Sequence, residues 1–461
     1  MAAPSPDIEV DDSAQQQGEP APAPMTTKRG PDAAATSAPT RPLPLLARAS
    51  SGFRALGHRN YRLFFFGQLI SLIGTWMQSV AQAWLVLTLT GKDADLMLGV
   101  TSALQFTPVL FLSVFGGALA DRLPKRNVLV ATQSLLMAQA LVLALLVSTG
   151  TVQLWHVLVM AALLGTVNAV DMPTRQSFVV EMVGREDLMN AIALNSSVFN
   201  AARIVGPGIA GLLIAAVGVA GCFFLNGVSF IAVIIGLLLM REPFIRLAPP
   251  AGWGQEHGVL ANISQGFRYI WRTPAVAALI FLVGAVGTLG LNFSVWMPVM
   301  ANDVLRVGAS GYGFMMSMMG VGSLIAGLTL AYSREARRHL VIAAAAAFSL
   351  VLLAFSASSW FPLSLALLAV LGLTMVAFSA TANTTVQLLV PDQLRGRVMA
   401  VYMMVFAGTT PIGALFAGTI AHFTSTPISI ATGAVTCLLA VLVAGIWLRR
   451  IQRAALAAVG V

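Results

Sequence analysis

The chain has 461 residues, of which 57% are hydrophobic and 10% are charged, and its mean hydropathy is +0.82. Soluble domains carry roughly 25% charged residues, so this composition excludes a water-soluble globular protein and indicates that lipid is the solvent. The formal net charge of +9 is interpreted through the positions of the basic residues, which orient membrane proteins, and does not indicate nucleic-acid binding.

The first 52 residues differ from the rest of the chain. They are rich in Pro, Ala, Gln and acidic residues and hold too little apolar surface to build a core, so residues 1–52 are predicted to form a disordered cytoplasmic tail. No apolar segment follows a basic start, so the tail is not expected to act as a secretory signal. A passive solvated tail is the favoured interpretation, and a partner-binding tail is the alternative.

Twelve apolar segments follow, each about long enough to span a bilayer as a helix. They cover approximately residues 62–89, 96–120, 127–148, 152–172, 190–216, 219–240, 275–300, 310–332, 339–357, 361–383, 396–421 and 427–448. Cys222 and Cys437 lie inside such segments and are expected to be small buried hydrophobic residues. The sequence therefore predicts an all-α membrane protein with twelve transmembrane helices, called predicted helices 1 to 12.

The longest internal connection lies between predicted helices 6 and 7, over residues 241–273. Ile263, Phe267 and Ile270 recur at helical spacing, with Arg268 and Arg272 between and after them. This pattern predicts an amphipathic helix that lies on the membrane surface.

The basic residues are distributed unequally between the two sides of the predicted bundle. With the N-terminus inside, 24 of the 27 lysines and arginines fall in the tails or in loops on the N-terminal side. The other side holds Lys92 and Arg306, and Arg203 lies within a segment. Because basic loops stay in the cytoplasm, both termini are predicted to be cytoplasmic, in the inner membrane of a bacterium.

Weak matches at a near-constant offset relate the two halves of the chain. Trp84 and Trp296 are 212 residues apart, and so are Gly99 and Gly311. Such a duplication predicts two six-helix bundles related by a parallel pseudo-two-fold, with a substrate cavity between them at the midplane. The predicted bundles are residues 53–240 and 274–450, joined by a cytoplasmic linker, residues 241–273, and followed by a cytoplasmic tail, residues 451–461.

A glycine, a small residue, Asp-Arg and further basic residues follow predicted helix 2. The motif comprises Gly117, Asp121, Arg122, Lys125 and Arg126. It resembles the loop between helices 2 and 3 of the major facilitator superfamily, which implies a cytoplasmic latch that breaks during alternating access. Pro124 stands where the family usually has a glycine, and the second-half copy near residues 327–338 lacks the aspartate. A purely topogenic basic loop is the alternative.

Predicted helix 5 carries Arg203, Gly206, Pro207 and Gly211. Proline interrupts the hydrogen-bond ladder of a helix and glycines allow close packing. The segment resembles the glycine-proline motif of exporters in this superfamily, which implies that it bends helix 5 and seals one side of the cavity. A packing seam of small residues is compatible with that role.

Three further stretches narrow the resemblance. Residues 60–64, 171–181 and 390–400 are similar to the branch that contains the enterobactin exporter and macrolide-efflux-like proteins. This similarity, over about residues 53–450, implies export of a small molecule.

Polar residues inside a transmembrane segment are expected to face a wet cavity rather than lipid. Predicted helix 1 carries a polar stripe that spans an arc of roughly 100°, and polar residues of other segments extend the candidate substrate cavity. The candidates are Gln68, Thr75, Gln78, Gln82, Gln105, Asn168, Asn200, Asn292, Trp296 and Asn383. Arg203 is the one charge within a segment, and it is expected to point toward a counter-charge or the cavity, or to bond backbone carbonyls.

The energy source of transport is the property that the sequence determines least. No ATP-binding loop of the GxxxxGK[ST] pattern is present, and the resemblance implies proton antiport. Every acid is placed outside the middle of a segment, so Asp121 and Asp171, at predicted cytoplasmic helix ends, are the nearest candidates for proton coupling. A helix-end salt bridge is the alternative role of each.

These observations predict a proton-coupled exporter of a bulky amphipathic small molecule, such as a siderophore or a drug-like compound. An importer of a small metabolite or lysolipid on the same fold and a membrane sensor without transport are the alternatives. An enzyme is not expected, because no His, Cys or acidic constellation lies within the segments. Neither a cofactor, a metal nor a nucleic-acid partner is expected, and the protein is predicted to be a monomer in the bilayer.

Overall fold

The computed structural model describes residues 52–241, 259–332 and 338–459. Residues 1–51, most of the predicted linker and the last two residues lie outside the described residues. The described chain consists of helices and turns, without a strand in these ranges. The helices are α1 (Arg59–Thr90), α2 (Ala94–Arg122), α3 (Lys125–Ser148), α4 (Leu154–Val183), α5 (Leu188–Leu238), α6 (Val259–Arg272), α7 (Pro274–Gly290), α8 (Phe293–Val299), α9 (Gly308–Tyr332), α10 (Arg338–Ser356), α11 (Phe361–Leu389), α12 (Asp392–Phe423) and α13 (Thr426–Val459).

Two glycines in the left-handed region interrupt the longest apolar stretches. Gly91 has φ 53° and follows α1. Gly218 has φ 78° and ψ 177° inside α5, and it divides this helix into α5a (residues 188–217) and α5b (residues 219–238). A side chain at such a φ is strained, and glycine avoids that cost. Both breaks match boundaries that the sequence predicts.

Ten helices among the described residues are long and apolar enough to cross a membrane. Two of the ten are 55 and 51 residues long, and they contain the breaks at Gly91 and Gly218. Dividing each of them gives twelve segments, and the number twelve stays a prediction.

The predicted end of helix 4 is too early. The sequence ends this segment at residue 172, before Pro173, but α4 continues to Val183. Pro173 lies inside the helix, and the carboxylate of Asp171 is buried and paired with Arg175. Asp171 therefore lies in the interior of a helix, whereas the sequence placed it at a helix end.

Each half has its own packing pattern. In the first half α1 packs against α5, and α2 packs against α4. In the second half α9 packs against α11, while α13 packs against α7 and α10. Between the halves, α2 packs against α12 and α5 packs against α9.

The amphipathic segment forms the helix α6. Its apolar Ile270 is 6% exposed, whereas Trp271 is 87% exposed. A Cβ atom on Gly266 would lie 2.6 Å from the carbonyl oxygen of Arg397, so α6 lies closely against the start of α12. Arg397 also donates a hydrogen bond to Gln265 Oε1.

Two ends of the bundle are distinguished below. The basic face is the end where α1 begins, α2 ends and α12 begins. The opposite face is the end where α1 ends, α2 begins, α12 ends and α13 begins.

Candidate functional site

The glycine-proline motif lies at a contact between the two halves. A Cβ atom on Gly211 would lie 2.8 Å from the carbonyl oxygen of Ala309, and a Cβ atom on Gly313 would collide with the carbonyl oxygen of Pro207. Ser310 Oγ donates a 3.2 Å hydrogen bond to the Gly211 carbonyl. These small residues let the backbones of α5a and α9 touch, as in other tightly packed membrane helices.

Further along this seam, Ser317 Oγ of α9 donates a 2.6 Å hydrogen bond to the Ile204 carbonyl of α5a. On another side of α5a, a Cβ atom on Gly206 would lie 2.6 Å from Trp76 Cβ of α1. The motif therefore fixes α5a both to its own half and to the other half.

A second seam joins α2 to α12 near the opposite face. A Cβ atom on Gly99 would lie 2.6 Å from the Ala414 carbonyl oxygen. Thr426 Oγ1 donates a 3.0 Å hydrogen bond to Asp95 Oδ1, and His422 Nδ1 lies 3.8 Å from Asp93 Oδ1. Both carboxylates belong to the first half and both partners to the second.

Two more contacts close the opposite face between these seams. Ser102 Oγ lies 3.2 Å from Ser294 Oγ. The rings of Trp84 and Tyr312 are stacked, with centroids 6.3 Å apart and planes 21° apart. An offset stack of two large rings adds to the apolar contact.

At the basic face, the hydrogen bonds and ion pairs of the described ranges remain within one half. Lys125 Nζ lies 2.5 Å from Glu181 Oε1. Arg126 donates 2.7 Å hydrogen bonds to the carbonyl oxygens of Leu237 and Leu238, which is a favourable position for a cation at a helix C-terminus. The two halves are thus joined from the middle of the bundle to the opposite face.

The predicted latch motif is only partly described. Asp121 belongs to the last turn of α2, but its side chain lies outside the described residues, and Arg122 is exposed. A Cβ atom on Gly117 would meet no atom within 4 Å, whereas one on Gly116 would collide with the Ala169 carbonyl of α4. The close approach of α2 to α4 is therefore at Gly116, which is the residue on the face toward α4.

A buried polar cluster joins α1, α3 and α4. Asp171 is 1% exposed and accepts 2.7 Å hydrogen bonds from Thr132 Oγ1 and Gln133 Nε2. Arg175 pairs with Asp171 one turn along α4 and also donates to Gln68 Oε1 of α1. The sequence places Asp171 at a cytoplasmic helix end, whereas the structure places it inside α4 with its carboxylate buried. The i, i+4 spacing of Asp171 and Arg175 is the sequence signal that indicates such a pair.

The polar stripe of α1 does not face a single environment. Gln78 is 4% exposed; it donates a 2.9 Å hydrogen bond to Gln139 Oε1 and accepts a 2.5 Å bond from Asn226 Nδ2. Gln82 is also buried and donates to Gln105 Oε1 at 3.2 Å. Thr75 is exposed. Gln68, Gln78 and Gln82 are predicted to line the cavity, but they lie inside the first half, where α4 supplies the partner of Gln68, α3 and α5b those of Gln78, and α2 that of Gln82.

The two second-half candidates are also buried. Trp296 is 1% exposed and donates a 3.0 Å hydrogen bond to Ser429 Oγ. Asn292 is 3% exposed and donates a 2.7 Å bond to the Thr288 carbonyl. The break between α7 and α8 at residues 291 and 292 turns both side chains into the second half, so neither lies on a cavity wall.

The remaining candidates are partly exposed. Arg203 has Trp76 as its neighbour: its guanidinium carbon lies 5.9 Å from the ring centroid, a cation–π contact. Its buried Nε has no hydrogen-bond partner among the described residues. The neighbour of the Arg203 guanidinium is therefore the ring of Trp76 in place of an acidic side chain. Gln105, Asn168, Asn200 and Asn383 are half-buried, and no hydrogen bond joins these four to one another.

Comparison with known proteins places the chain in a family. The family of transmembrane secretion effectors matches residues 50–459. The multidrug efflux pump Tap of Mycolicibacterium fortuitum is 27% identical over 367 residues, which cover 78% of this chain and 88% of Tap. The enterobactin exporter EntS of Escherichia coli O1:K1 is 24% identical over 365 residues, which cover 78% of this chain and 85% of EntS.

The solved structures share the fold. A bacterial homologue of the human lysosomal transporter Spinster, in an inward-facing and unoccupied conformation, has a TM-score of 0.64 at 13% identity, covering 85% of this chain and 95% of its own. These comparisons confirm the predicted resemblance to the major facilitator superfamily, whose members here are multi-pass membrane transporters and not enzymes. Because the family match spans all the described residues, the chain belongs to the transmembrane secretion effectors.

Proposed function

We propose that the protein is a secondary exporter of a bulky amphipathic small molecule, of the siderophore or drug-like class, and that it works as a monomer in the inner membrane. The names of the relatives support this class, since Tap is a multidrug efflux pump and EntS an enterobactin exporter. In this proposal twelve helices form two six-helix bundles related by a parallel pseudo-two-fold.

The repeat is supported by one pair of equivalent crossings. In the first half, a Cβ atom on Gly165 of α4 would collide with the Gln105 backbone of α2. In the second half, a Cβ atom on Gly372 of α11 would collide with the Met319 backbone of α9. Predicted helices 2 and 4 thus cross at a glycine of helix 4, and predicted helices 8 and 10 cross at a glycine of helix 10.

The observation that carries the proposal is the one-sided contact between the halves. Among the described residues, the hydrogen bonds between the two halves are made by Ser102, Ser310, Ser317 and Thr426. All four lie at the middle of the bundle or toward the opposite face. Under the positive-inside rule the basic face is cytoplasmic, so both termini are cytoplasmic. Because the contacts between the halves close the opposite face and not the basic face, the molecule is in an inward-open state. An exporter loads its substrate from the cytoplasm in this state.

For proton coupling, Asp171 is the better-supported candidate. It is a buried carboxylate, and protonation would weaken its pair with Arg175. Arg175 is also the link from α4 to Gln68 of α1, so the proton would loosen two helices of the first half together. Asp121 remains the second candidate through the latch motif. Thr75, Gln105, Asn168, Asn200 and Asn383 remain the proposed cavity residues, with Arg203 at the α1–α5a contact.

A reversible lock tests alternating access. Ser102→Cys with Ser294→Cys places two thiols where two hydroxyl oxygens lie 3.2 Å apart, close enough for a disulfide. Oxidation should trap the opposite face closed and abolish ethidium efflux from proteoliposomes, and a reductant should restore it. Each single cysteine variant is the matched control, since Cys222 and Cys437 are buried. Full efflux from the oxidised, cross-linked protein would overturn the proposal.

Direction and coupling are tested in inverted membrane vesicles. With an imposed pH gradient, an exporter accumulates ethidium or enterobactin inside, whereas an importer depletes them and a sensor moves neither. Asp171→Asn should retain exchange of labelled ethidium without a gradient but lose accumulation driven by the gradient. Asp392→Asn, at an exposed ion pair, should keep both, and loss of both in this control would exclude a specific role for Asp171.

A further inference from the structure

An apolar groove lies on the outer side of α1, toward the basic face. It has a volume of about 380 Å³, and its walls come from α1 and α5b. Its apolar lining includes Phe66, Ile70, Ile235 and Leu239, which are 50–54% exposed. Four large apolar side chains on two adjacent helices form a surface whose contact with lipid is favourable and whose contact with water is unfavourable.

Two glycines shape the groove. A Cβ atom on Gly67 would lie 3.0 Å from the Ala232 carbonyl oxygen, and a Cβ atom on Gly236 would lie 3.0 Å from the Leu63 carbonyl oxygen. The helices therefore touch through their backbones at the floor, while the longer side chains on either side form the walls.

The groove is separate from the proposed substrate cavity. Phe66 lines the groove, and Thr75 is the exposed member of the polar stripe. They are nine residues apart, and at about 100° per residue they lie about 180° apart around α1. A ligand in the groove therefore lies on the periphery of the first half.

Arginines surround the end of the groove at the basic face. Arg62 lines it and is exposed. Arg59 donates a 3.0 Å hydrogen bond to the carbonyl of Leu239, a groove residue, and Arg126 binds the two preceding carbonyls. Within the described ranges, no acidic side chain forms an ion pair with these three arginines. The end of a transmembrane helix is also the level at which lipid headgroups lie.

We propose that this groove binds one anionic phospholipid of the leaflet at the basic face. An acyl chain lies between α1 and α5b, and the phosphate lies against Arg62, with Arg59 and Arg126 near it. A phosphate matches guanidinium groups in charge and in bidentate geometry. The apolar walls match the chain, and the bound lipid joins the first helix of the bundle to the sixth.

Native mass spectrometry of the full-length protein in detergent tests the site. Dioleoyl phosphatidylglycerol should be retained at one equivalent more tightly than dioleoyl phosphatidylcholine. Arg62→Gln should weaken phosphatidylglycerol binding about fivefold, the value expected for one arginine near an anionic headgroup. Arg450→Gln, an exposed arginine on the last helix of the same face, is the matched control and should change it less than twofold.

A second variant tests the apolar part of the site. Ala232→Phe fills the groove and should reduce retention of phosphatidylglycerol while the protein stays monodisperse on gel filtration; if this variant aggregates, Ile235→Trp replaces it. Glycerol phosphate at millimolar concentration should not displace the lipid, since it has no chain. Equal retention of both lipids, equal losses in the Arg62 and Arg450 variants, or displacement by glycerol phosphate would overturn the proposal.

Discussion

The interiors of the two halves are stabilised by different interactions. The first half buries five glutamines, Asn226 and Asp171, and their side chains bond across helices. In the described second half, Asn292 is the one fully buried amide, and the other buried polar groups are hydroxyls. Half of these hydroxyls bond within their own helix, as Ser349 does with Ala345 and Thr385 with Thr381.

The two halves differ because buried hydroxyls, glutamines and carboxylates need different numbers of hydrogen-bond partners. A hydroxyl can donate to the carbonyl one turn earlier, so it needs no partner from another helix. A glutamine or a carboxylate cannot satisfy its several polar atoms in that way, and burying it without partners is costly. The first half is therefore specified mainly by directed bonds between helices, and the second half mainly by the packing of large side chains such as Phe293 and Phe348.

The largest expected effect concerns packing in the second half. Phe348 is fully buried against Phe293, so Phe348→Ala should lower the free energy of unfolding by about 4 kcal/mol, through lost contact and a cavity. Phe423→Ala, at a ring that is 78% exposed, is the control and should cost less than about 0.5 kcal/mol. Chemical unfolding in mixed micelles measures both. Similar losses in the two variants would contradict a second half held by packing.

The next effect concerns the ion pair of the first half. Asp171→Ala removes the carboxylate and leaves Arg175 without its partner in a largely buried site, so we expect a loss of about 3 kcal/mol, the lower end of the range for a broken buried pair. Asp392→Ala breaks a pair whose aspartate is 84% exposed and should have almost no effect. A stability loss for Asp392→Ala as large as that for Asp171→Ala would contradict the expected difference between a buried and an exposed ion pair.

The smallest effects separate the two kinds of buried polar group. Gln78→Leu removes the partners of Gln139 Oε1 and Asn226 Nδ2 and should cost about 1.5 kcal/mol, near the upper limit for polar contacts between membrane helices. Ser349→Ala removes a bond within one helix and should cost about 0.5 kcal/mol or less. The same unfolding assay ranks the two, and the reverse order would show that the first-half bonds do not direct its assembly.

Several positions in the site were predictable and several were not. The contact of Pro207 and Gly211 with the other half follows the expectation for a small-residue seam, because close packing depends on side-chain size alone. Asp171 was placed at a helix end, because a charge normally marks the end of an apolar segment. The ion-pair partner of Asp171, Arg175, bonds to Gln68 of α1, which is 107 residues away from Arg175, and spacing along one chain segment does not indicate such a contact.

Composition and periodicity by themselves determined that the chain is an all-α membrane protein, where most helices begin, and where the breaks at Gly91 and Gly218 fall. These properties depend on the transfer of apolar side chains to lipid and on backbone freedom at glycine, which are local quantities. The tertiary structure alone decided which polar side chains face inward. Gln68, Gln78 and Gln82 share a stripe with Thr75, and only the positions of α2, α3, α4 and α5b supply the partners of the three buried glutamines and leave Thr75 exposed.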